Sequence, residues 1–253
     1  MPRPSLDKIT TKGKALFLAY DHGLEHGPEE LEQFNGQATD PSYVLQIATK
    51  GGYNGVILQE GIAEKYYPVK AQKIPLIVKL NGKTELTQGD PVSRQICSVK
   101  RASELGAKAV GYTLYPGSRH ETVMFAEFGR ILAQAHKLGL PVLAWVYPRG
   151  EKIKNENSDR TVVYAARIAL ELGADVVKLK YCSPQGFRQA VEAAGRTKVM
   201  LAGGPKTKEK DFLKTVEMVI KTGAMGVVAG RNVWQSKNPF VITEKLKEII
   251  FRQ

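Results

Sequence analysis

The stretch Gly173-Ala-Asp-Val-Val-Lys-Leu-Lys-Tyr181 decides the fold. Its glycine is typical of a residue that ends a helix, and the apolar run behind it lacks polar alternation, which is the pattern of a parallel strand covered on both faces. Two lysines, Lys178 and Lys180, close the run. Because the carboxyl ends of the strands form the mouth of a parallel barrel, the stretch predicts a strand that delivers a lysine to a ligand site.

The same succession of a glycine and an apolar strand recurs along the chain. It is found again at residues 50–58, 105–111 and 222–228. Three further predicted strands directly follow the end of a helix. They lie at residues 73–79, 138–144 and 196–201. With a first strand at residues 15–20, the pattern predicts eight strands.

Helical patterns separate the strands. We expect helices at residues 41–50, 62–66, 91–105, 120–138, 159–172, 184–194, 207–221 and 239–250. Asp40 is placed to cap the start of the first of these helices and Gly51 to end it. Eight strand and helix units in 253 residues favour an α/β fold, a closed (β/α)8 TIM barrel, as a single domain over residues 1–253. An open Rossmann sheet is the alternative, but no G-x-G-x-x-G follows the first strand.

The composition is that of an ordinary globular protein, with 43% hydrophobic and 25% charged residues. Apolar runs are short and the N-terminus lacks an apolar signal segment, so we expect no membrane association. Two cysteines are too few for a disulfide framework, and the cytoplasm is the predicted compartment. The formal charge of +12 permits a nucleic-acid partner, but the cations are dispersed among acids, which favours a solvated surface and no nucleic-acid binding.

Two glycine-rich loops follow the last two predicted strands. They are Ala202-Gly-Gly-Pro-Lys206 and Ala229-Gly-Arg-Asn-Val233. Backbone amides can approach phosphate oxygens where no Cβ intrudes, and the loops after strands seven and eight form the phosphate site of many barrels. Glycines that merely turn the chain are the alternative, but two adjacent loops at the expected positions favour phosphate. The candidate phosphate-binding residues are Gly203, Gly204, Lys206, Gly230 and Arg231.

A lysine can attack a carbonyl once it has lost its proton. Its pKa must then fall from about 10.4 to near neutrality, a change of roughly 3 units that burial among apolar residues can supply. Lys178 and Lys180 have the same parity on their strand, so the spacing does not choose between them. A lysine that only forms an ion pair at the strand end is the alternative for either position.

Residues at other strand ends supply further candidates. Tyr147 is placed to carry protons and Trp145 to wall the pocket, with ordinary aromatic packing as the alternative. Asp21 could orient a hydroxyl or relay a proton, with turn formation as the alternative. The segment Asp21-His-Gly-Leu-Glu-His-Gly-Pro28 holds two histidines, but its glycines and proline predict a loop and no helix, and a catalytic zinc site needs three protein ligands. We therefore expect no metal and place His22 among the substrate-binding residues.

Five motifs resemble those of the archaeal-type class I fructose-1,6-bisphosphate aldolases, and the resemblance covers nearly the whole chain. It implies a Schiff base at Lys178, proton transfer by Tyr147, a pocket wall at Trp145 and a catalytic carboxylate at Asp21. It also implies a homo-oligomer, often a decamer, that uses no metal or other cofactor. The motifs are Asp21-His-Gly-Leu-Glu-His-Gly-Pro28, Trp145-Val-Tyr-Pro-Arg-Gly150, Gly173-Ala-Asp-Val-Val-Lys178, Gly203-Gly-Pro-Lys-Thr207 and Gly230-Arg-Asn-Val-Trp-Gln235.

The reaction that this resemblance implies is the reversible cleavage of fructose 1,6-bisphosphate into dihydroxyacetone phosphate and glyceraldehyde 3-phosphate. One phosphate of this ketose would lie in the glycine-rich loops, and Arg149 or Lys79 would bind the other. Aminodideoxyheptulosonate synthesis and autoinducer-2 thiolysis are alternatives in the same broader family, although those branches differ around Trp145. The segment Tyr181-Cys-Ser-Pro-Gln-Gly186 departs from the Thr-Gly-Asp that often follows this tyrosine, which leaves substrate length and stereochemistry open. A basic barrel that binds nucleic acid without catalysis is the alternative from another class.

Overall fold

Eight parallel strands close into a barrel in the computed structural model, which describes residues 3–32, 36–67 and 74–252. β8 pairs with β1, so the sheet has no free edge. The predicted TIM barrel and all eight predicted strands are therefore confirmed, although Lys73 of the third predicted strand lies outside the described residues. The strands are β1 (Ala15–Tyr20), β2 (Gly55–Gln59), β3 (Leu76–Lys79), β4 (Ala109–Leu114), β5 (Val142–Val146), β6 (Val176–Leu179), β7 (Lys198–Ala202) and β8 (Gly226–Ala229).

Helices follow the strands and cover the outer face of the barrel. Side chains cap several of them; Asp40 accepts a hydrogen bond from the Ser42 amide, as the sequence predicts. The helices are α1 (His22–His26), α2 (Glu29–Glu32), α3 (Pro41–Gly51), α4 (Glu60–Tyr66), α5 (Val99–Glu104), α6 (Glu121–Lys137), α7 (Asp159–Glu171), α8 (Pro184–Ala194), α9 (Glu209–Ile220), α10 (Arg231–Trp234) and α11 (Pro239–Phe251). Short 3₁₀ turns lie at Asp7–Ile9 and Gly36–Thr39. Within the described ranges, no helix has the length and apolar character needed to cross a membrane.

Two predicted helix boundaries are wrong. The helix expected at residues 91–105 begins only at Val99, because Arg94–Gln95 pairs with Asn81–Gly82 in a short antiparallel ribbon. Glu127 of α6 holds that ribbon by accepting a hydrogen bond from the Gln95 amide at 2.7 Å. At the end of α3, Gly52 rather than Gly51 adopts the left-handed conformation that stops the helix.

The segment after β1 forms the one-turn helix α1, and the prediction of a loop without helix there is wrong. A glycine inside a helix costs about 1 kcal/mol, a small penalty that tertiary contacts can offset. The His22 ring packs edge-on against Trp234 at 5.7 Å between centroids, and His26 bonds Glu85 at 2.7 Å. Gly27, at φ +80°, then ends the turn.

The lower end of the barrel interior is a buried apolar core. Ile9 of the first 3₁₀ turn packs against it and closes the bottom of the barrel. A Cβ on Gly226 would lie 1.7 Å from the Ala15 carbonyl oxygen, so only glycine allows β8 to approach β1 this closely. The interior residues of this core include Ala15, Phe17, Ile57, Ile77, Leu143, Val176, Met200 and Met225.

Candidate active site

A cavity of about 380 Å³ opens at the carboxyl ends of the strands. It contains most of the residues selected from the sequence, since the strand ends that carry them converge there. Lys206 does not line it, because its amine points to the Asn232 carbonyl oxygen at 3.3 Å. The selected residues that line the cavity are Asp21, His22, Trp145, Tyr147, Arg149, Lys178, Gly203, Gly204, Gly230 and Arg231.

Lys178 points from β6 into the barrel and is only 8% exposed. Its amine lies 5.1 Å from the centroid of the Trp145 ring on the neighbouring strand. Lys178 forms no ion pair with any described residue. Burial lowers the pKa of this amine to about 8, because the charged form is poorly solvated there. At neutral pH an appreciable fraction of Lys178 is therefore an uncharged nucleophile.

Lys180 has a different environment although it shares the parity of Lys178. Its amine forms an ion pair with Glu156 and lies 5.6 Å from the centroid of the Tyr147 ring. Burial lowers the pKa of Lys180, whereas the Glu156 carboxylate acts in the opposite direction by stabilising the charged form. The structure thus separates two lysines that the sequence left equivalent, and it gives Lys178 the environment of a nucleophile.

Asp21 follows β1 and faces a second buried lysine. Its Oδ2 lies 3.7 Å from the Nζ of Lys79, and the Asp21 side chain is 9% exposed. Burial alone would raise the pKa of Asp21, but the nearby Lys79 and Lys178 amines outweigh burial and hold that pKa below its usual value. Asp21 is consequently an ionised carboxylate, ready to accept a proton.

Tyr147 lies just beyond β5 at the rim of the same cavity. Burial, followed by the negative charges of Asp21 and Glu25, raises the pKa of this phenol well above its usual value. Tyr147 is therefore protonated at neutral pH and able to donate. The Arg149 guanidinium, 5.7 Å from the ring centroid, acts in the opposite direction on that pKa.

Trp145 forms the floor of the cavity and is 2% exposed. A Cβ on Gly111 would lie 2.1 Å from its ring, so the glycine on β4 creates the space that the indole occupies. The buried indole Nε1 has no hydrogen-bond partner among the described residues. A buried N–H without a partner is costly, which marks it as a donor available to a ligand.

His22 packs into the corner between α1 and α10. A Cβ on Gly230 would lie 2.8 Å from the His22 Cε1, so Gly230 makes room for the ring. Burial lowers the pKa of His22 to about 3, and the ring is neutral. Its Nδ1 lies 3.8 Å from the Asp21 Oδ1 and has no hydrogen-bond partner in the part of the chain that the structure describes.

The loops after β7 and β8 approach each other, as expected for a phosphate cradle. The Gly203 amide already donates to the Val228 carbonyl at 2.9 Å, so it continues the strand ladder. Gly204, at φ +71°, has open space where a Cβ would stand. The first amides of α10 begin at Arg231 and have no partner within their own helix.

Asn232 shapes this cradle, a role that the sequence did not reveal. Its amide donates to the carbonyls of Gly203 and Pro205, each at 2.9 Å. Its Oδ1 accepts a hydrogen bond from the Thr207 amide at 3.0 Å. Asparagine inside the sequence Gly230-Arg-Asn was the available signal, but its partners lie some 25 positions earlier in the chain.

Glu156 is the second residue that sequence reasoning missed. It accepts a hydrogen bond from the Arg149 Nε at 2.9 Å and also pairs with Lys180. Arg149 in addition lies 3.6 Å from Glu25. The Arg231 guanidinium is held by Glu30 at 2.6 Å, while its buried Nε has no partner among the described residues.

Metal ligands do not converge anywhere in the described ranges. There, no group of three or more His, Cys, Asp or Glu side chains is arranged to hold an ion. His22 and His26 do share one helical turn, with ring centroids 6.2 Å apart, but a third ligand does not join them. The arrangement instead combines a partly neutral amine, an ionised carboxylate and a protonated phenol, which is suited to covalent chemistry on a carbonyl.

Comparisons with known proteins identify the family of this chain. A family model described as DeoC/LacD family aldolase matches residues 15–236. The class 1 fructose-bisphosphate aldolase of Thermoproteus tenax is 52% identical over 242 residues, which cover 95% of this chain and 90% of the relative. The fructose-bisphosphate aldolase/6-deoxy-5-ketofructose 1-phosphate synthase of Methanocaldococcus jannaschii is 39% identical over 244 residues, which cover 91% of this chain and 78% of the relative.

A solved structure has the same fold along almost its whole length. It is an archaeal fructose-1,6-bisphosphate aldolase with the catalytic lysine covalently bound to the carbinolamine intermediate of the substrate. It superposes with a TM-score of 0.93 at 50% identity and covers 97% of each chain. From the family match, the identity to these relatives and the shared barrel, this chain belongs to the DeoC/LacD family of aldolases.

Proposed function

We propose that this protein is a class I fructose-bisphosphate aldolase that cleaves fructose 1,6-bisphosphate through a Schiff base on Lys178. The observation that carries the proposal is the Lys178 amine, which is buried, lacks an ion pair among the described residues and has a pKa lowered to about 8. The amine shares its cavity with the glycine-rich loops around Gly204 and Arg231. The names of the relatives support the same activity.

The first step forms the iminium. A terminal phosphate of the open-chain ketose binds the cradle of Gly204, Gly230 and Arg231, which places the C2 carbonyl near the amine. The Lys178 nitrogen forms a bond to C2 while the carbonyl oxygen gains a proton, which gives a carbinolamine. That hydroxyl oxygen takes up a further proton from the solvent and leaves as water, which gives a positively charged iminium at C2.

The second step cleaves the C3–C4 bond. A base removes the proton from the C4 hydroxyl, the electron pair of the C3–C4 bond moves into the iminium, and glyceraldehyde 3-phosphate leaves. The remaining enamine gains a proton at C3, and water releases dihydroxyacetone phosphate from Lys178. Asp21 is in the ionised form that accepts a proton and Tyr147 in the protonated form that donates one, so together they supply both transfers.

The iminium is itself the electron sink of this mechanism, so no metal ion or bound cofactor is required. We expect cleavage of fructose 1,6-bisphosphate to continue in the presence of EDTA. Loss of activity on chelation, with recovery on addition of zinc, would instead indicate a metal-dependent aldolase.

Arg149 is the better of the two candidates for the second phosphate. Lys79 is 3% exposed and paired with Asp21, whereas Arg149 lies at the mouth beside Lys180. Arg149→Ala should raise the KM for fructose 1,6-bisphosphate about 10–100-fold, since a hydrogen bond to a charged group is worth roughly 1.5–3 kcal/mol. The KM for fructose 1-phosphate, which lacks the second phosphate, should change little. Equal losses on both substrates would remove Arg149 from this role.

Reductive trapping tests the central assignment. The protein is treated with borohydride in the presence of dihydroxyacetone phosphate, and the modified peptide is located by mass spectrometry. We expect one adduct on Lys178. An adduct on Lys180, or no adduct, would overturn the proposal.

The name of the Methanocaldococcus relative favours testing a second reaction in the same pocket, 6-deoxy-5-ketofructose 1-phosphate synthesis. Assays of this reaction, of heptulosonate synthesis and of thiolytic cleavage beside fructose 1,6-bisphosphate cleavage decide among the Schiff-base activities. Binding to nucleic acid would show a steep dependence on salt, which we do not expect. The homo-oligomer, such as a decamer, and the cytoplasmic location stay predictions, to be checked by sedimentation and by fractionation.

A further inference from the structure

Lys79 is a second buried lysine in the catalytic cavity, and the mechanism above does not use it. It ends β3, is 3% exposed, and its amine lies 3.7 Å from the Asp21 Oδ2. The same amine lies 5.3 Å from the Trp145 ring centroid, and the Lys178 amine lies 5.1 Å from that centroid. Two amines thus lie over one indole at the floor of the cavity, and one of them pairs with a carboxylate.

The charges of these groups limit which amine can be protonated. If Lys79 and Lys178 both carried a proton, Asp21 would neutralise only one of the two buried positive charges. An unpaired buried charge is costly, so the arrangement favours a single protonated amine. Lys79 is within ion-pair distance of Asp21, whereas Lys178 has no ion pair within the described residues.

We propose that Lys79 is a positioning residue, which holds Asp21 ionised and oriented in the cavity and, through its own positive charge, increases the fraction of Lys178 that is in the neutral, nucleophilic form. The inference rests on the proposed role of Lys178 as the Schiff-base lysine. Lys79 itself forms no bond to the substrate.

The influences on the two pKa values agree with this assignment. Burial is the largest influence on both groups; it lowers the pKa of Lys178 and would raise that of Asp21. The Lys79 charge lowers both pKa values, while Asp21 raises that of Lys178. Lys79 therefore acts on the nucleophile and on the carboxylate in the directions that catalysis needs.

Other ionisable groups around Lys178 are neutral or already paired. Burial keeps His22 neutral, Glu156 pairs with Lys180, and Glu30 pairs with Arg231. Lys79 is thus the cation paired directly to the catalytic carboxylate. The ionisable groups that line the cavity together with Lys178 are Asp21, His22, Glu25 and His26 after β1, Lys79 on β3, Tyr147 and Arg149 after β5, Lys180 and Tyr181 after β6, Asp211 on α9 and Arg231 after β8.

The test measures the initial rate of borohydride trapping with dihydroxyacetone phosphate as a function of pH. In the unaltered protein the trapping rate should rise with pH as Lys178 loses its proton. In Lys79→Met this rising limb of the curve of rate against pH should move to higher pH by about one unit, because a positive charge next to Lys178 is lost. At pH values below the pKa of Lys178 the trapping rate should then fall roughly tenfold, since one unit of pKa is a factor of ten in the neutral fraction of the amine. Lys79→Arg keeps the charge and should keep the limb in place.

A variant that should shift the pH dependence in the opposite direction makes the test sharper. Asp21→Asn removes the carboxylate that stabilises protonated Lys178, so its limb should move to lower pH. Lys79→Gln replaces the ammonium by a neutral amide able to hydrogen-bond Asp21, and its limb should move in the direction of Lys79→Met. Thermal melting of each variant identifies those that are folded.

Three outcomes are distinguishable. The proposal is supported if the rising limb moves to higher pH in Lys79→Met and Lys79→Gln, stays in place in Lys79→Arg and moves to lower pH in Asp21→Asn. A trapping rate that falls equally at every pH, with the limb unmoved, shows a merely structural lysine and overturns it. Absence of trapping on Lys178 in the unaltered protein overturns the proposed aldolase function instead.

Discussion

The lower half of the barrel interior is apolar, whereas the upper half, two residues further along the same strands, carries ionisable side chains. Val176 and Lys178 both point inward from β6, and Ile77 and Lys79 do so from β3. All four are at least nine-tenths buried. The difference shows that burial alone does not separate core from site, because the position along the strand decides whether a buried side chain meets other apolar groups or a carboxylate and a cavity.

The two halves have different roles. The lower half packs without polar groups and fixes the register in which Trp145 lies opposite Lys178. That register places the Lys178 amine over the indole at the floor of the cavity, where burial disfavours the charged form of the amine. Removing a side chain from the upper half should therefore abolish chemistry, and removing one from the lower half should reduce stability.

Lys178→Met gives the largest expected effect. We expect a loss of fructose 1,6-bisphosphate cleavage on the order of 10⁴-fold or more, because removal of a covalent nucleophile leaves only binding and electrostatic contributions. The melting temperature at neutral pH should stay the same or rise, since an apolar chain of similar length replaces a buried amine. Residual cleavage near the original rate, or a borohydride adduct on Lys180, would contradict the division between the two halves.

Tyr147→Phe comes second and separates bond cleavage from imine formation. Loss of a positioned proton donor should lower the cleavage rate about 10²–10⁴-fold. Trapping of dihydroxyacetone phosphate on Lys178 should persist, because that adduct forms without breaking a C3–C4 bond. A cleavage rate close to that of the unaltered protein would show that another group supplies the proton.

The barrel could be predicted from the sequence because its signals are local. Each strand is a short apolar run, and a glycine or a helix end precedes it. The segments predicted wrongly depend on distant contacts. Helix α1 forms against Trp234, more than two hundred residues away in sequence, and the ribbon at Arg94–Gln95 is held by Glu127.

The position of a residue along its strand predicts whether it reaches the cavity, but it does not predict the partners of its side chain. Trp145, Tyr147 and Lys178 stand at strand ends and do line the cavity. Parity could not separate Lys178 from Lys180, because the distinction is made by Glu156, which lies in another loop. Lys206 has a suitable sequence position, yet its side chain turns away to the Asn232 carbonyl.

Leu143→Ala tests the lower half and gives the third effect. Loss of this fully buried side chain should reduce the free energy of unfolding by about 2–5 kcal/mol, measured by denaturant titration. The kcat of the folded fraction should change only a few-fold. Leu86→Ala is the matched control, because Leu86 is 90% exposed and its truncation should leave stability unchanged. A variant that keeps its stability but loses catalysis would show that the halves are not divided as proposed.

The pH dependence of the unaltered protein gives the smallest effect and tests why Lys178 differs from its apolar neighbours. Since its pKa is lowered to about 8, trapping should rise with pH and level off above that value, with roughly a tenfold lower rate one unit below it. An unfolded lysine titrates near 10.4, so between the two values the unfolded chain binds the extra proton and the free energy of unfolding should increase with pH. Lys178→Met should lack this contribution. If the two proteins showed the same dependence of stability on pH, Lys178 would retain its ordinary pKa in the fold, and burial beside Trp145 could not be the cause of its reactivity.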